Sequence, residues 1–561
     1  MSGVILGINC TLQRGGAYTY DGNVALVGPG GPIVAIAEER ISRVKHDGRF
    51  QRALQHVLER TGTEPHSIEA VAVCSFAQTV EPEQDASAAI VSAVEQAFGF
   101  EPPVVLVPSH HEAHALAAAA QCGVRESLIA VIDNEGSILG TRGSGPLWTN
   151  SFERTSYYVL RGGTLTLVAR DHDDPGEVGY GKLYSKVTRY IGFETYHHAG
   201  KTMGLAPFGD PHALTNVTLF ASEPSGRMRC SMRNTADGLG DLSAWFAALG
   251  VQLPEPRAVG AAIRPIDTHL AAWAQHQLEA SVVARIKGLL ARHALNHVCI
   301  SGGVSLNSVL NRRLQDELGV AEVFVPSSPG DAGLALGAAA YHLWKRDGAV
   351  PHWPARPFLG WPYEDAEIER AVTAVADLRV QRTDDPVACA VKALARGKVV
   401  GWFQGASEYG PRALGHRSIL ANPRNPWMKD ILNHQVKGRE WFRPYAPSVL
   451  WSAAGEHFEI AGKVPFMMQT APARAEGVKS APACVHVDGT ARLQTVTPED
   501  DTLYADLLQR FGQVTGAPIV LDTSFNLAGM PIVETPEDAV SCFRQAPRMD
   551  VLIAGTFVIS R

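Results

Sequence analysis

Residues 128–137 read LIAVIDNEGS. Five apolar residues run without a break into Asp133, and two acids and a glycine close the stretch. A run that short, β-branched and cut off by polar residues reads as a strand buried on both faces of an α/β sheet. Its carboxyl end is the polar end. Open α/β sheets bind ligands there, because strand ends and helix N-termini leave backbone donors free.

The same signature recurs on either side. AVAVCSF at 70–76 and PVVLVP at 103–108 are short apolar strands between helical stretches, and GVILGIN followed by NVALVGPGGPIVAIAEER reads as a strand and a meander turning at 28–31. After an insert-like stretch from about 140 to 265, the pattern returns with a helix around 271–293, a strand HVCISGG, a helix from Asn307, a strand EVFVP and a helix opening at GDAGLALGAAAYHLW. This second series is expected to be a half related to the first. Proline-rich VPHWPARPFLGWPYEDAEIE at 350–369 is the expected linker, since prolines stop both helix and sheet. With the linker at about 350–384, the expected domains are 1–355 and 356–561.

Composition narrows the function. The 561 residues are 45% hydrophobic and 19% charged with a formal net charge of −7, the balance of a soluble globular protein and not of a dedicated nucleic-acid binder. Eight scattered cysteines without CxxC spacing predict a reduced, cytoplasmic protein. No apolar run approaches the roughly 20 residues of a membrane span. Small-molecule partners are expected, with neither nucleic acid nor membrane.

HHEAHA at 110–115 is the first chemical constellation. His110 and His114 are four apart and share a helix face. The spacing is one residue short of the zinc-protease signature, so no catalytic glutamate is read between them. Asp133 and Asp331 each follow a strand near a helix start, where an ionised carboxylate is favoured. Two imidazoles and two carboxylates suit iron, manganese or zinc; a solvated histidine cluster is the other reading. SGGVSLN at 301–307 puts Gly302 and Gly303 after a strand and Asn307 on the next helix, a turn that lets backbone N–H groups approach a phosphate, or simply a tight turn. HHAGKTMGLAPFG adds Lys201 among glycines without the P-loop spacing. The second domain carries Arg412, Arg417, Lys437, Arg439, Arg443, His486 and Arg492 interleaved with glycine, proline and aromatics. Converging guanidinium groups bind phosphate bidentately.

Taken together, AEERISRVKH, HHEAHA, GKTMGLAP, SGGVSLN, GDAGLALGAA, GPRALGHRSILA, VKGREWFRPYAPSVL, PFMM, HVDGTARLQTV and DTSFN resemble, in order, the O-carbamoyltransferase family of antibiotic and nodulation-factor biosynthesis. The resemblance implies a large duplicated actin-like ATPase (ASKHA-type) metal-binding domain and a smaller α/β domain resembling threonylcarbamoyl-adenylate synthases. It implies that carbamoyl phosphate and Mg-ATP give carbamoyl-adenylate in the smaller domain, and that the larger domain passes the carbamoyl group to a hydroxyl of a small natural product. By the same resemblance His110, His114, Asp133 and Asp331 hold a divalent metal, iron foremost; Lys45, Lys201, Gly302, Gly303 and Asn307 fall in nucleotide- or adenylate-contacting segments. Arg412, Lys437, Arg443, Arg492 and Ser524 correspond to the carbamoyl phosphate and adenylate site. A homodimer is in keeping with the family.

One departure stands near the start. Family members carry a His-Asp pair whose histidine deprotonates the acceptor; this chain has Tyr20 and Asp21. A tyrosine of ordinary pKa near 10 is a poor base at pH 7 unless a cation lowers it. His46, beside Lys45 in VKHDG, is the expected substitute, so Tyr20, Asp21, Lys45 and His46 form the candidate catalytic group. Asp522 replaces a usual asparagine. Residues 11–20, 75–100 and 140–180 are expected to bind the acceptor. Two further readings stay open: the same activation chemistry serving another acceptor, and a non-enzymatic nucleotide- and metal-binding scaffold.

Overall fold

The apolar run at 128–132 lies in strand Glu126–Ile132, buried from Ser127 onward, and it is the centre of a five-stranded sheet. This computed structural model describes residues 3–11, 20–75, 86–139 and 150–561. The chain divides into two units: Met1–Glu38 with His46–Ala355, and Glu39–Lys45 with Arg356–Arg561.

In the first unit, strands β1 (Val4–Cys10), β2 (Asn23–Gly28), β3 (Gly31–Ala37), β4 (Ile68–Ser75) and β5 (Val104–Leu106) form a sheet of order β3-β2-β1-β4-β5. Strands β6 (Glu126–Ile132), β7 (Thr155–Arg161), β8 (Thr164–Asp171), β9 (His297–Ser301) and β10 (Glu322–Phe324) form a second, of order β8-β7-β6-β9-β10. In both sheets the first strand pairs antiparallel with a meander on one side and parallel with a crossover strand on the other, which pairs parallel with a second crossover strand in turn. The first unit is therefore an α/β fold of two halves with one strand order, as the second series of strands and helices leads one to expect, and in keeping with the actin-like type that the family resemblance implies.

Three helices matter for the site: α1 (His110–Gln121), α2 (Ser308–Glu317) and α3 (Leu334–Asp347). Helix α1 is buried at every position except Glu112, because its alanines let neighbours approach closely. Gly337 of α3 faces it, and a side chain there would place a Cβ 2.1 Å from the Ala113 carbonyl oxygen.

The second unit is built on a nine-stranded mixed sheet with a core on each face. Strand Val400–Phe403 shows why. Val400 and Trp402 pack with the helices Pro386–Ala395 and Thr502–Thr515, whereas Phe403 packs on the opposite side with Ile419 and Phe543. The expected linker is not without structure. Helix Asp365–Thr373 forms in it because Glu364 and Glu367 make a reciprocal capping box, and Ile368, Ala371 and Val372 are buried. Strand Arg379–Arg382 then pairs with Phe557–Ser560. Among the described residues no helix is long and apolar enough to cross a membrane.

Candidate active site and metal centre

The four residues named as ligands converge. His110 Nε2 and His114 Nε2 lie 3.2 Å apart. Each is 3.4 Å from Asp133 Oδ2 and 3.3 Å from Asp331 Oδ1. Two donors bound to one ion by bonds of roughly 2.1 Å at a tetrahedral angle stand about 3.4 Å apart, so the spacing fits a common cation. Burial opposes charge on all four groups. Yet the carboxylates raise both imidazoles above their ordinary value, while the imidazoles hold Asp133 well below its own and Asp331 at about 2. Two nitrogens and two oxygens match iron, manganese or zinc and do not choose between them.

The ligands are held in place. Asp133 Oδ1 accepts from Asn134 N at 2.8 Å and Gly303 N at 3.2 Å, which turns Oδ2 toward the histidines. Gly302 precedes with φ +88°, and a Cβ there would lie 2.4 Å from the Ile132 carbonyl oxygen. The Ser301 hydroxyl stands 3.4 Å from His114 Nδ1, and the Cys74 thiol lies against His110. Asn9 and Asn23 each donate to the backbone carbonyls of Asp21 and Asp331.

The candidate catalytic group divides. His46 Nδ1 is 2.9 Å from Asp21 Oδ1, and both residues have left-handed φ, +58° and +54°. His197, which the sequence reading did not single out, stacks on His46 with ring centroids 3.9 Å apart, and burial pushes it down to about 4. Its signal was present in the motif HHAGKTMG. Tyr20 packs edge-on against Tyr196 and His197. Burial and the nearby Asp331 raise its pKa, so the phenol is a poorer base precursor than a free tyrosine. Lys45 groups with the second unit, where its charge bears on Lys437.

Of the nucleotide candidates, Gly302 and Gly303 border the His/Asp cluster, and Lys201 sits on helix Ala199–Leu205 with its ammonium 5.5 Å from the Phe193 ring. Asn307 does not join them. Its side chain caps α2 through Leu310 N and exchanges hydrogen bonds with Gln275 at 2.9 and 3.1 Å, so it serves the fold. The acceptor segments fall partly on 12–19, 76–85 and 140–149, outside the described residues.

In the second unit, burial lowers the pKa of Arg412 and Arg443 to about 10 and those of Arg439, Arg492 and Lys437 as well, and neighbouring arginines further depress Arg443, Arg492 and Lys437. That repulsion marks a shared locus of positive charge. Lys437 Nζ donates to the Ser524 carbonyl, to Asn526 O at 2.9 Å and to Asn526 Oδ1 at 2.8 Å. Ser524 Oγ lies 3.4 Å from the same ammonium. Arg417 is different: it donates to Gln404 O at 2.6 Å and Gly405 O at 3.1 Å and stacks on Phe403, a structural role. Buried Asp522, pushed up to about 7 by burial, accepts from Tyr504 Oη at 2.9 Å and Ser448 Oγ at 3.3 Å.

Residues 87–340 match the family model for the carbamoyltransferase N-terminus, and residues 391–561 match that for the C-terminus. The chain is 32% identical to nodulation protein NolNO of Sinorhizobium fredii, over 98% of this chain and 80% of that one. The chain belongs to the carbamoyltransferase family. This carbamoyltransferase is also 33% identical to nodulation protein NolO of Bradyrhizobium diazoefficiens, over 81% of this chain and 79% of the relative. An uncharacterized protein of Synechocystis is 31% identical, over 97% and 96%. Among solved structures, the carbamoyltransferase is similar to the activator of 2-hydroxyisocaproyl-CoA dehydratase from Clostridium difficile at 13% identity. That match covers 62% of this chain and 96% of the other, with a TM-score of 0.32.

Proposed function

We propose that this carbamoyltransferase is an ATP-dependent O-carbamoyltransferase that activates its donor in the second unit and transfers it in the first. The cluster of Arg412, Lys437, Arg439, Arg443 and Arg492, the lysine buried and the arginines half-buried, carries the reading. Cations of one sign drawn together and partly out of water repel one another unless an anion joins them, and a phosphorylated donor and a nucleotide supply that anion. Carbamoyl phosphate, ATP and one water give carbamoyl-adenylate, pyrophosphate and phosphate. The guanidinium groups neutralise the charge that develops on the transferring phosphoryl oxygens. Lys45 adds to the same field, and Ser524 offers a hydroxyl to the donor.

In the first unit, Gly302, Gly303 and Lys201 face the nucleotide portion, and His46 takes the acceptor proton. Asp21 fixes the His46 ring through Nδ1 and stabilises the imidazolium, the arrangement a general base needs. Tyr20 shapes the wall of the site. His110, His114, Asp133 and Asp331 would hold a divalent ion, whose chemistry there would be to supply positive charge beside a phosphate. The acceptor is a small molecule with a hydroxyl, and its carbamate leaves with AMP.

The test is pyrophosphate release from carbamoyl phosphate, ATP and Mg²⁺. Wild-type protein should release it and Arg492→Ala should not. Folded wild-type protein that releases none would remove the reading.

A further inference from the structure

Glu153 follows the short strand Ser151–Phe152 and is completely buried, a costly place for a carboxylate unless its oxygens are fully engaged. They are. Oε1 accepts from Ser109 Oγ at 2.6 Å and Arg170 Nη2 at 3.3 Å. Oε2 accepts from the backbone N–H groups of His111 at 3.1 Å and Ser137 at 3.2 Å.

Those donors belong to two pieces of the metal centre. The first N–H groups of a helix lack intrahelical acceptors. In α1 three of them are met by side chains: His110 N donates to Ser137 Oγ at 3.0 Å, His111 N to Glu153, and Glu112 N to Ser109 Oγ at 3.0 Å. Glu153 bonds to both serine residues, through the Ser109 hydroxyl and the Ser137 N–H. Its backbone joins in, with Glu153 N donating to Ser137 O at 2.9 Å and Gly136 N donating to Glu153 O at 2.6 Å. Residues 133–137 form the loop that begins at Asp133. One carboxylate thus pins the helix carrying His110 and His114 to the loop carrying Asp133.

We propose that Glu153 is a positioning residue of the metal centre, setting the separation between the two imidazoles and the Asp133 carboxylate. The carboxylate form matters because each oxygen accepts two donors; a glutamine amide presents N–H groups to one pair and breaks that side of the clamp. The inference rests on the metal reading given under the proposed function.

The experiment is cobalt(II) titration of the metal-stripped full-length protein, read by its d–d absorption and by dissociation constant. Glu153→Gln should weaken cobalt binding by about ten- to a hundredfold, the range for residues that orient ligands, and shift the absorption bands. Unchanged bands with affinity within roughly twofold of wild type would overturn the proposal. If Glu153→Gln does not fold, Ser137→Ala and Ser109→Ala decide on the same readouts: weaker binding in both supports the clamp, wild-type behaviour in both sinks it. A wild-type protein that takes up no cobalt defeats the metal reading itself, and this inference with it. Wild-type binding beside an unaffected Glu153→Gln defeats this inference alone.

Discussion

The side-chain amide of Asn23 donates to the backbone carbonyl of Asp331 at 2.8 Å while also donating to that of Asp21 at 2.7 Å. Its Oδ1 accepts from Ala335 N at 2.9 Å, in the first turn of α3. Asp331 of the His/Asp cluster and Asp21, the partner of His46, therefore hang from one buried amide.

Replacing Asn23 by alanine strands the buried Ala335 N–H and takes one of two amide donors from each carbonyl. The expected cost is about 1–3 kcal/mol in stability, read by denaturant unfolding, together with weaker cobalt(II) uptake. A variant equal to wild type in both would show that Asn9, which bonds the same carbonyls, suffices alone.

Loss of both imidazoles should empty the metal centre. Elemental analysis is expected to find a divalent ion in purified wild-type protein and none in His110→Ala with His114→Ala. Full retention in the double variant would refute the ligand assignment.

Gly302 occupies left-handed backbone space directly against β6. Gly302→Ala should cost about 1–3 kcal/mol and displace the Gly303 N–H from Asp133. Unfolding midpoint measures the first effect, and cobalt affinity the second. An alanine variant as stable as wild type would mean that the turn relaxes freely.

Asp522 gives a pH signature of defined sign. Its folded value of about 7 lies above the ordinary carboxylate value of 3.8, so the folded state binds more protons between those limits and stability falls as pH rises through them. Asp522→Asn removes that loss. The variant should gain little over wild type near pH 4 and up to about 4 kcal/mol at pH 8, from 1.36 kcal/mol per pKa unit. A gain independent of pH would contradict a buried, titrating carboxyl.

Much of this was legible in the chain. The unbroken apolar strands and their polar ends marked the sheets, and His110 and His114 at helical spacing marked one edge of the cluster. Asp133 and Asp331 were legible as strand-end acids, since residue type and position together restrict what such a group does. Glu153 and Asn23 were not. Their roles depend on which backbone groups tertiary packing leaves unpaired, and nothing local in the sequence records that. Asn307 misled for a related reason: an asparagine after a glycine turn looks the same whether it meets a phosphate or caps a helix. The helix at Asp365–Thr373 was hidden by flanking prolines, although its capping glutamates were in view.

The two repeats of the first unit share a strand order but not a chemistry. His110 and His114 come from the end of the first repeat, and Asp133 and Asp331 from the second. Neither half owns a complete coordination set. An ion bound there would be a rivet between two halves of like strand order, so separately produced halves would each be metal-blind, and chelation would loosen the seam before it melted either sheet.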